Sequence, residues 1–405
     1  MKKVAVIVLA ITTAAVMLGF LLPGETGVRK NRDTASRSEI TNEPLVSGSS
    51  SADKNPASFA PTAAEYQLDG PRKRNELGQA LPFRERSFPA SSIDLLQRAN
   101  RGNFATLELF PGVSFRLRVT GRWDDQDGTR VAASLEGRPE KDRLFASWNK
   151  DSMRALIELP SENLAYELIN DGKGGYLVRE WLFTDVVCST PMPRTGGAES
   201  GIPRPEQKTA MSSPAFIEPG QVPQLSSRPG ATAVIYLDFD GETVSGSAWN
   251  GGQTIVAPAA RMNASQIEET WRRIVRDFET CDVNVTTVRA TYDAAPMARK
   301  TQCVVTSNDA AAPGAGGVAY VGVFDDSRAA YKVCWVFIDN DAKSCAEATS
   351  HEIGHTLGLA HDGRIASDTA AREEYYGGHG TGQTGWAPIM GVGYYQPLTQ
   401  WSKGE

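Results

Sequence analysis

The chain has 405 residues, of which 40% are hydrophobic and 22% are charged, and its formal net charge is −6. This length predicts two or three domains, with enough apolar residues for well-packed cores. The slight acidic excess and the scattered basic residues argue against a nucleic-acid-binding protein.

The N-terminus has the composition of an export signal. Lys2 and Lys3 precede an apolar run over residues 4–22. We therefore predict a signal peptide or signal anchor over residues 1–24 and a protein that is secreted or otherwise extracytoplasmic. An uncleaved anchor would be the only association with a membrane, because the apolar run is about as long as a bilayer is thick. Residues 25–70, rich in Ser, Asn, Thr, Ala and Pro, are predicted to be a disordered stalk.

Residues 71–188 are predicted to form a small β-rich domain. Short runs in which apolar and polar residues alternate are separated by turn signals such as Asp127-Gly128. The predicted strands cover residues 107–110, 113–119, 131–135, 144–148, 155–159 and 164–169. A stretch rich in Pro, Gly and Ser follows over residues 189–230, and we predict an exposed linker that proteases can reach.

Residues 231–405 are predicted to contain both strands and helices. A buried-strand pattern over residues 233–239 precedes a helix whose N-cap we place near Ser265. A second helix begins later, where Ser344 and Glu347 have the spacing of a capping box. Between the two helices we predict strands at residues 283–288, 303–306, 317–324 and 333–338.

The second helix carries the most informative motif of the chain. Residues 351–361 read H-E-I-G-H-T-L-G-L-A-H and contain three of the four histidines. On a helix, His351 and His355 project from one face and can share a metal ion. Gly358 offers the left-handed backbone that ends a helix, so His361 can return as a third ligand. The fourth position stays open, which is typical of catalytic rather than structural zinc.

Glu352 lies beside the metal-binding face. Its carboxylate can take a proton from a zinc-activated water, so we predict that it is the general base. Two alternatives stay open: the histidines are ordinary core residues, or they bind a zinc ion that has only a structural role. The fourth histidine, His379, is predicted to be a loop residue.

The motif H-E-x-x-H-x-x-G-x-x-H resembles that of the metzincin metallopeptidases, and the pair His361-Asp362 resembles the reprolysin (adamalysin) branch. The resemblance covers roughly residues 231–405. It implies an α+β fold with a twisted, mixed five-stranded sheet, an antiparallel edge strand, a zinc helix and a methionine turn. Met390, in the run A-P-I-M-G, fits that turn. Astacins and serralysins have an extra tyrosine ligand two residues later, where this chain has Val392.

The resemblance also implies how substrates bind. In metzincins an extended peptide lies along the antiparallel edge strand, whose backbone groups can pair with many sequences. In this chain the corresponding residues are Gly317, Val318, Ala319 and Tyr320. Asp325 and Asp326, which follow, are candidate calcium ligands, and solvated loop acids are the alternative.

The order of export signal, β-rich domain, linker and peptidase resembles that of a zymogen, so residues 71–230 look like a propeptide. Cys188 stands directly before the linker and has no evident partner. We predict that its thiolate occupies the open zinc position until the linker is cut. An unpaired buried cysteine and an intermolecular disulfide are the alternatives.

The other four cysteines fall in residues 231–405, and export makes disulfides permissible. Four cysteines allow three pairings. Of these we favour Cys281 with Cys303, near the starts of two predicted strands, and Cys334 with Cys345, which would link a strand to the zinc helix.

Together these features predict a secreted zinc endopeptidase that is made as a zymogen and hydrolyses peptide bonds of proteins or peptides, with one catalytic zinc ion. The alternative is a catalytically inactive secreted module for binding or adhesion that retains a structural zinc. Only fifteen residues follow Met390, where metzincins usually continue through a C-terminal helix. We therefore also expect a catalytic domain that is truncated at its C-terminus.

Overall fold

The computed structural model describes residues 73–75, 79–193, 221–364 and 373–401. The predicted signal (residues 1–24), the predicted stalk (residues 25–70) and residues 194–220 of the predicted linker lie outside the described residues. Those described all belong to one compact unit, Pro56–Glu405. None of the described helices is long and apolar enough to cross a bilayer.

An eight-stranded antiparallel sheet is built from residues 84–182, with strand order β1-β8-β7-β6-β5-β4-β3-β2. Helix α1 (Ala90–Arg98) buries Ile93 and Leu96 in the same apolar cluster as one face of this sheet. The strands are β1 (Arg84–Phe88), β2 (Phe104–Phe110), β3 (Val113–Asp125), β4 (Gly128–Leu135), β5 (Arg143–Trp148), β6 (Met153–Leu159), β7 (Leu164–Asn170) and β8 (Tyr176–Leu182).

All six strands predicted between residues 107 and 169 are present, whereas β1, β8 and α1 have no counterpart among the sequence predictions. Strand β1 reads R-E-R-S-F, and its charged residues obscure the alternation of apolar and polar residues that marks a strand. These charged residues form ion pairs between strands. Arg84 Nε lies 2.7 Å from a carboxylate oxygen of the fully buried Glu180 on β8. Tertiary pairing therefore stabilises a strand that its local composition disfavours.

Both faces of the eight-stranded sheet are covered at its centre. Every residue of β6 is buried, because one face packs on the cluster with α1 and the other on a second sheet. Arg154, on β6, pairs with Glu167 at 2.9 Å, and Glu158 pairs with Arg143 at 3.1 Å. Buried charges need such partners, since an unpaired ion in an apolar interior costs several kcal/mol.

The second sheet has strand order β13-β10-β14-β16-β15-β9, and β15 runs antiparallel to both of its neighbours. The sheet is mixed, as predicted; five of its six strands come from residues 231–405, and the sixth, β9, comes from residues 187–191. Two-stranded pairs are formed by β11 with β12 and by β17 with β18. The strands are β9 (Val187–Pro191), β10 (Ala233–Asp238), β11 (Glu242–Val244), β12 (Ile255–Ala257), β13 (Val283–Thr286), β14 (Lys300–Val305), β15 (Ala315–Tyr320), β16 (Val333–Val336), β17 (Trp386–Pro388) and β18 (Leu398–Gln400).

Helices α3 (Ala264–Asp277) and α5 (Ala342–Thr356) pack against each other and share an apolar cluster with one face of the second sheet. The helices that follow α1 are α2 (Phe183–Val186), α3 (Ala264–Asp277), α4 (Arg289–Ala294) and α5 (Ala342–Thr356). Short 3-10 turns cover Trp249–Gly252, Met297–Arg299, Ala329–Tyr331 and Gly382–Thr384.

The predicted helix caps are wrong by two or three residues. Helix α3 is capped by Asn263, which forms the capping box with Gln266. Helix α5 is capped by Asp341, whose side chain accepts the Ser344 N–H at 2.8 Å. Both helices have several capping residues near their starts, and spacing alone does not choose between them.

Both predicted disulfides are wrong. All five cysteines of the chain lie among the described residues and are free thiols. Cys303 pairs in register with Cys334 across strands β14 and β16, and Cys345 is buried in the same apolar cluster. Cys281 is exposed beyond the end of α3. Sequence order did not reveal that β16, rather than β15, lies beside β14.

Part of each described end of the predicted linker packs on the second sheet, whereas Met192 and residues 228–230 are exposed. Residues 189–191 belong to β9 at one edge. At the other edge, Ser226 forms an antiparallel bridge with Thr286 of β13. The described part of the linker therefore covers both edges of the sheet.

Candidate active site

The three histidines of the motif converge at the C-terminal end of α5. His351 and His355 are buried on this helix. Gly358, with φ of +92°, turns the chain back, so the ring centroid of His361 lies 4.7 Å from that of His355 and 5.3 Å from that of His351. A side chain would be strained at that φ. This turn lies where the sequence predicted that Gly358 ends the helix.

Hydrogen bonds orient each imidazole. The Nδ1 atom of His351 lies 2.8 Å from the Ile389 carbonyl oxygen, and that of His355 lies 2.8 Å from the Leu359 carbonyl oxygen. Carbonyl oxygens only accept, so both Nδ1 atoms carry the proton and both Nε2 atoms present a lone pair. The Nδ1 atom of His361 faces Glu374 at 2.8 Å. Such partners on the outer nitrogen are those that orient metal-binding histidines.

The Nε2 atoms of His355 and His361 lie close enough to share one metal ion, and the His351 ring packs beside both of these rings. Burial lowers the pKa of His351 to about 3 and that of His355 well below its ordinary value, so these two rings are neutral. The Nε2 atoms of His355 and His361 lie 3.0 Å apart, and a proton or a cation must separate them. The buried Nε2 atom of His351 has no hydrogen-bond partner, so it is available as a further nitrogen donor. The donor set therefore fits zinc.

Met390 lies beneath α5, where the methionine turn was predicted. A Cβ atom at Gly354 would lie 2.5 Å from the Met390 sulfur, so the thioether packs directly on the backbone of the helix. The turn also holds the ligand region through its backbone. The carbonyl oxygen of the preceding Ile389 faces His351, and the Met390 carbonyl oxygen accepts the Asp362 N–H at 2.9 Å.

Glu352 points from α5 towards the junction of β9 and β15. Burial raises the pKa of its carboxyl group to about 8, and hydrogen bonds from Thr190 oppose that shift. The Thr190 backbone N–H donates to Glu352 Oε1 at 3.1 Å, and its hydroxyl donates to the same oxygen. Gly317 leaves room for the carboxylate, because a Cβ atom there would lie 2.8 Å from Glu352 Oε1.

The predicted substrate strand is not free. Residues Val187 to Pro191 pair along β15 in antiparallel register, with Ala319 opposite Cys188 and Gly317 opposite Thr190. The chain therefore places its own extended segment along Gly317, Val318, Ala319 and Tyr320. The sequence analysis missed this strand, although the apolar residues before Cys188 were a weak signal of it.

Cys188 lies beside the histidines. Its sulfur and one ring nitrogen each of His355 and His361 lie within 4.8 Å of one another, close enough to hold one ion. Burial raises the pKa of the thiol well above its ordinary value, and Glu352 adds to the rise. The thiol donates to the Thr184 carbonyl oxygen at 2.8 Å. A thiolate at this place requires a nearby cation to offset these effects.

Two tyrosines that are not among the predicted metal ligands, general base or substrate-strand residues hold the backbone of β9. The Tyr375 hydroxyl donates to the Ser189 carbonyl oxygen at 2.5 Å, and the Tyr394 hydroxyl donates to the Pro191 carbonyl oxygen at 3.1 Å. The Tyr375 ring also packs on His361, with centroids 4.2 Å apart. No motif marks either tyrosine, because their contacts form only in the folded chain.

Nothing in the described structure supports Asp325 and Asp326 as calcium ligands. Asp326 is buried and pairs with Arg328 at 2.7 Å and with Arg154 at 3.5 Å, so its charge is already neutralised. Asp325 is exposed. His379 lies in a loop, where its Nδ1 atom is 2.8 Å from the Tyr376 hydroxyl.

Residues 276–362 match the model of Metallo-peptidase family M12B, Reprolysin-like. The matched segment contains strands β13 to β16 and α5, and it ends at Asp362. The match confirms the resemblance to reprolysin-like metzincins. Peptidases of family M12B use zinc and act on proteins or peptides, which supports a zinc peptidase in general terms. No curated protein matches the chain.

Proposed function

We propose that this protein is an exported zinc endopeptidase made as a zymogen, in which strand β9 keeps the active site closed. One observation carries the proposal: β9 lies along β15 with Cys188 beside the zinc ligands and Thr190 on Glu352. The segment thus covers the substrate strand, the metal site and the general base together. Export is inferred from residues 1–24, which have the pattern of a signal.

His351, His355 and His361 would hold the zinc ion. When bound, zinc supplies Lewis-acid chemistry, polarising the scissile carbonyl group and lowering the pKa of a water molecule. Glu352 takes the proton of the attacking water and passes it to the leaving nitrogen. With β9 in place the carboxylate instead accepts hydrogen bonds from Thr190. Release of β9 is therefore needed before substrate and water can enter.

Cleavage within residues 194–220 would separate β9 from the catalytic region. The decisive assay is digestion of casein by chain cut at that linker, with and without a zinc chelator. We expect proteolysis that the chelator abolishes and added zinc restores. Glu352→Gln should retain zinc but lose activity by about 100-fold or more, while Glu373→Gln, at an exposed site, should remain active. An active Glu352→Gln protein would exclude this mechanism.

The role of Cys188 has its own test. Cys188→Ala should give the uncut chain proteolytic activity, because one of the contacts that close the site is lost. Cys281→Ala removes an exposed thiol far along the chain and is the matched control. If the uncut Cys188→Ala chain is as inactive as the wild type, Cys188 does not close the site.

A further inference from the structure

The peptide bond between Ser189 and Thr190 is held at both of its polar atoms. Its carbonyl oxygen accepts the Tyr375 hydroxyl at 2.5 Å, and its N–H donates to Glu352 at 3.1 Å. These two contacts come from separate elements, since Glu352 lies on α5 and Tyr375 lies in the segment that leads to β17. Glu352, the predicted general base, therefore contacts the nitrogen of the Ser189–Thr190 bond, and Tyr375 contacts the carbonyl oxygen of the same bond.

Hydrolysis of a peptide bond makes two demands on its surroundings. Negative charge develops on the carbonyl oxygen, and a hydrogen-bond donor placed there lowers the barrier. The leaving nitrogen must receive a proton from a group within hydrogen-bond reach. The Ser189–Thr190 bond meets both demands at once. It is also part of a strand that lies extended along β15, as the resemblance implies for a substrate.

We propose that the Ser189–Thr190 bond occupies the position of the bond that this enzyme cleaves, and that Tyr375 is a catalytic residue that donates a hydrogen bond to the scissile carbonyl oxygen. This inference rests on the proposed peptidase function. In the reaction the water oxygen bonds to the carbonyl carbon and Glu352 takes the water proton. Glu352 then gives a proton to the nitrogen, and the C–N bond breaks to leave a carboxyl group and an amine. Tyr375 keeps its own proton throughout.

The loop around Tyr375 is tied to the metal-binding region on both sides. The Tyr376 N–H donates to the Asp362 carbonyl oxygen at 2.7 Å, and the Val392 N–H donates to the Tyr376 carbonyl oxygen at 3.1 Å. Asp362 follows the third histidine, and Val392 stands two residues after Met390. The backbone next to Tyr375 is thus anchored to the segments that position the metal ligands. A donor held in this way loses little orientation when a substrate replaces β9.

Tyr394 makes a second contact that orients a peptide. Its hydroxyl donates to the Pro191 carbonyl oxygen, two residues beyond Ser189. This carbonyl group lies on the amine side of the proposed scissile bond. We therefore assign Tyr394 to binding of the leaving portion of the substrate and Tyr375 to the reacting carbonyl group.

The test compares Tyr375→Phe with Tyr376→Phe, which removes a neighbouring hydroxyl that contacts His379 instead. In linker-cut protein, Tyr375→Phe should lower kcat by about 100-fold with little change in KM, while zinc content stays at the wild-type level. Tyr376→Phe should leave kcat and KM unchanged. A Tyr375→Phe enzyme with wild-type kcat would overturn the inference alone. A wild-type protein without proteolytic activity would overturn both the inference and the proposed function.

A second measurement does not depend on proteolysis. In the uncut chain, with exposed Cys281 replaced by Ser, we expect a thiol reagent to label Cys188 about 5-fold faster in Tyr375→Phe, because β9 loses one hydrogen bond. The Tyr376→Phe chain should be labelled at the wild-type rate. Unchanged labelling of Tyr375→Phe would overturn the assignment even if kcat fell, since the contact with the Ser189 carbonyl group would then be absent.

Discussion

Replacing Gly317 by Ala adds one methyl group between the substrate strand and the general base. A Cβ atom at Gly317 would lie 2.8 Å from both Cγ and Oε1 of Glu352 and 2.9 Å from the Trp335 carbonyl oxygen. Ordinary van der Waals contacts begin at 3.4 Å, so the neighbours must yield by roughly 0.6 Å. The Trp335 carbonyl group belongs to β16 inside the sheet, whereas Glu352 is a side chain. We therefore expect the Glu352 carboxylate to move, and the contact with the Trp335 carbonyl oxygen requires a small shift of the sheet backbone as well.

A displacement of about 1 Å in a catalytic group can cost about 100-fold in rate, which corresponds to about 2.7 kcal/mol in the activation barrier. We predict that Gly317→Ala lowers kcat by about that factor. KM should change little, because the backbone groups of β15 that pair with a peptide remain. The assay is initial rates of peptide cleavage by linker-cut protein, together with zinc content and thermal unfolding.

Gly377→Ala is the matched control, since a Cβ atom at Gly377 meets nothing within 4 Å. This variant should behave as the wild type. A Gly317→Ala enzyme with unchanged kcat would refute the placement of Glu352 against the substrate strand. Loss of zinc or of a cooperative unfolding transition in Gly317→Ala would also contradict the reasoning, because the methyl group would then act through the fold.

Three further predictions concern stability. Gly354→Ala should lower the free energy of unfolding by about 1–3 kcal/mol in urea titrations, because its methyl group would lie 2.5 Å from the Met390 sulfur. Burial raises the pKa of Asp277 to about 7 from 3.8, so the folded state holds a proton that the unfolded chain releases above pH 4 or so. Stability should therefore fall as pH rises from about 4 to about 7, and Asp277→Asn should flatten that fall by up to about 1 kcal/mol per pH unit. Arg154→Met should cost about 3 kcal/mol in the same titrations, because it leaves the carboxylate of Glu167 buried without its partner.

Each of these three changes has a control in the chain. Gly377→Ala should leave stability unchanged where Gly354→Ala lowers it. Asp282→Asn replaces a carboxylate whose side chain is 79% exposed, so its pH profile should follow that of the wild type. If the stability of Asp277→Asn depended on pH in the same way as that of the wild type, the prediction for Asp277 would be contradicted. Lys150→Met alters a lysine that is 89% exposed, and a cost equal to that of Arg154→Met would show that burial is not the cause.

The parts of the site that could be predicted are those encoded by local geometry. The spacing of His351, His355 and Gly358 depends only on the helical repeat and on the conformational freedom of glycine, and the folded chain brings His361 to the first two as that spacing requires. Local alternation and the turn signals between the runs likewise predicted six strands of the first sheet, although β6 is buried on both faces. Helix starts were predicted less well, since Asp341 and Ser344 compete for the same role.

Contacts between distant segments were decided only by the tertiary structure. Strand β9 pairs with β15 through backbone groups, which carry no information about sequence, so no pattern in residues 187–191 identifies its partner. The same limit explains why Cys303 faces Cys334 rather than Cys281. The sequence by itself determined that this chain carries a three-histidine motif with a candidate general base. The folded structure alone showed that an extended segment of the same chain lies along β15, with the Ser189–Thr190 bond between Tyr375 and Glu352.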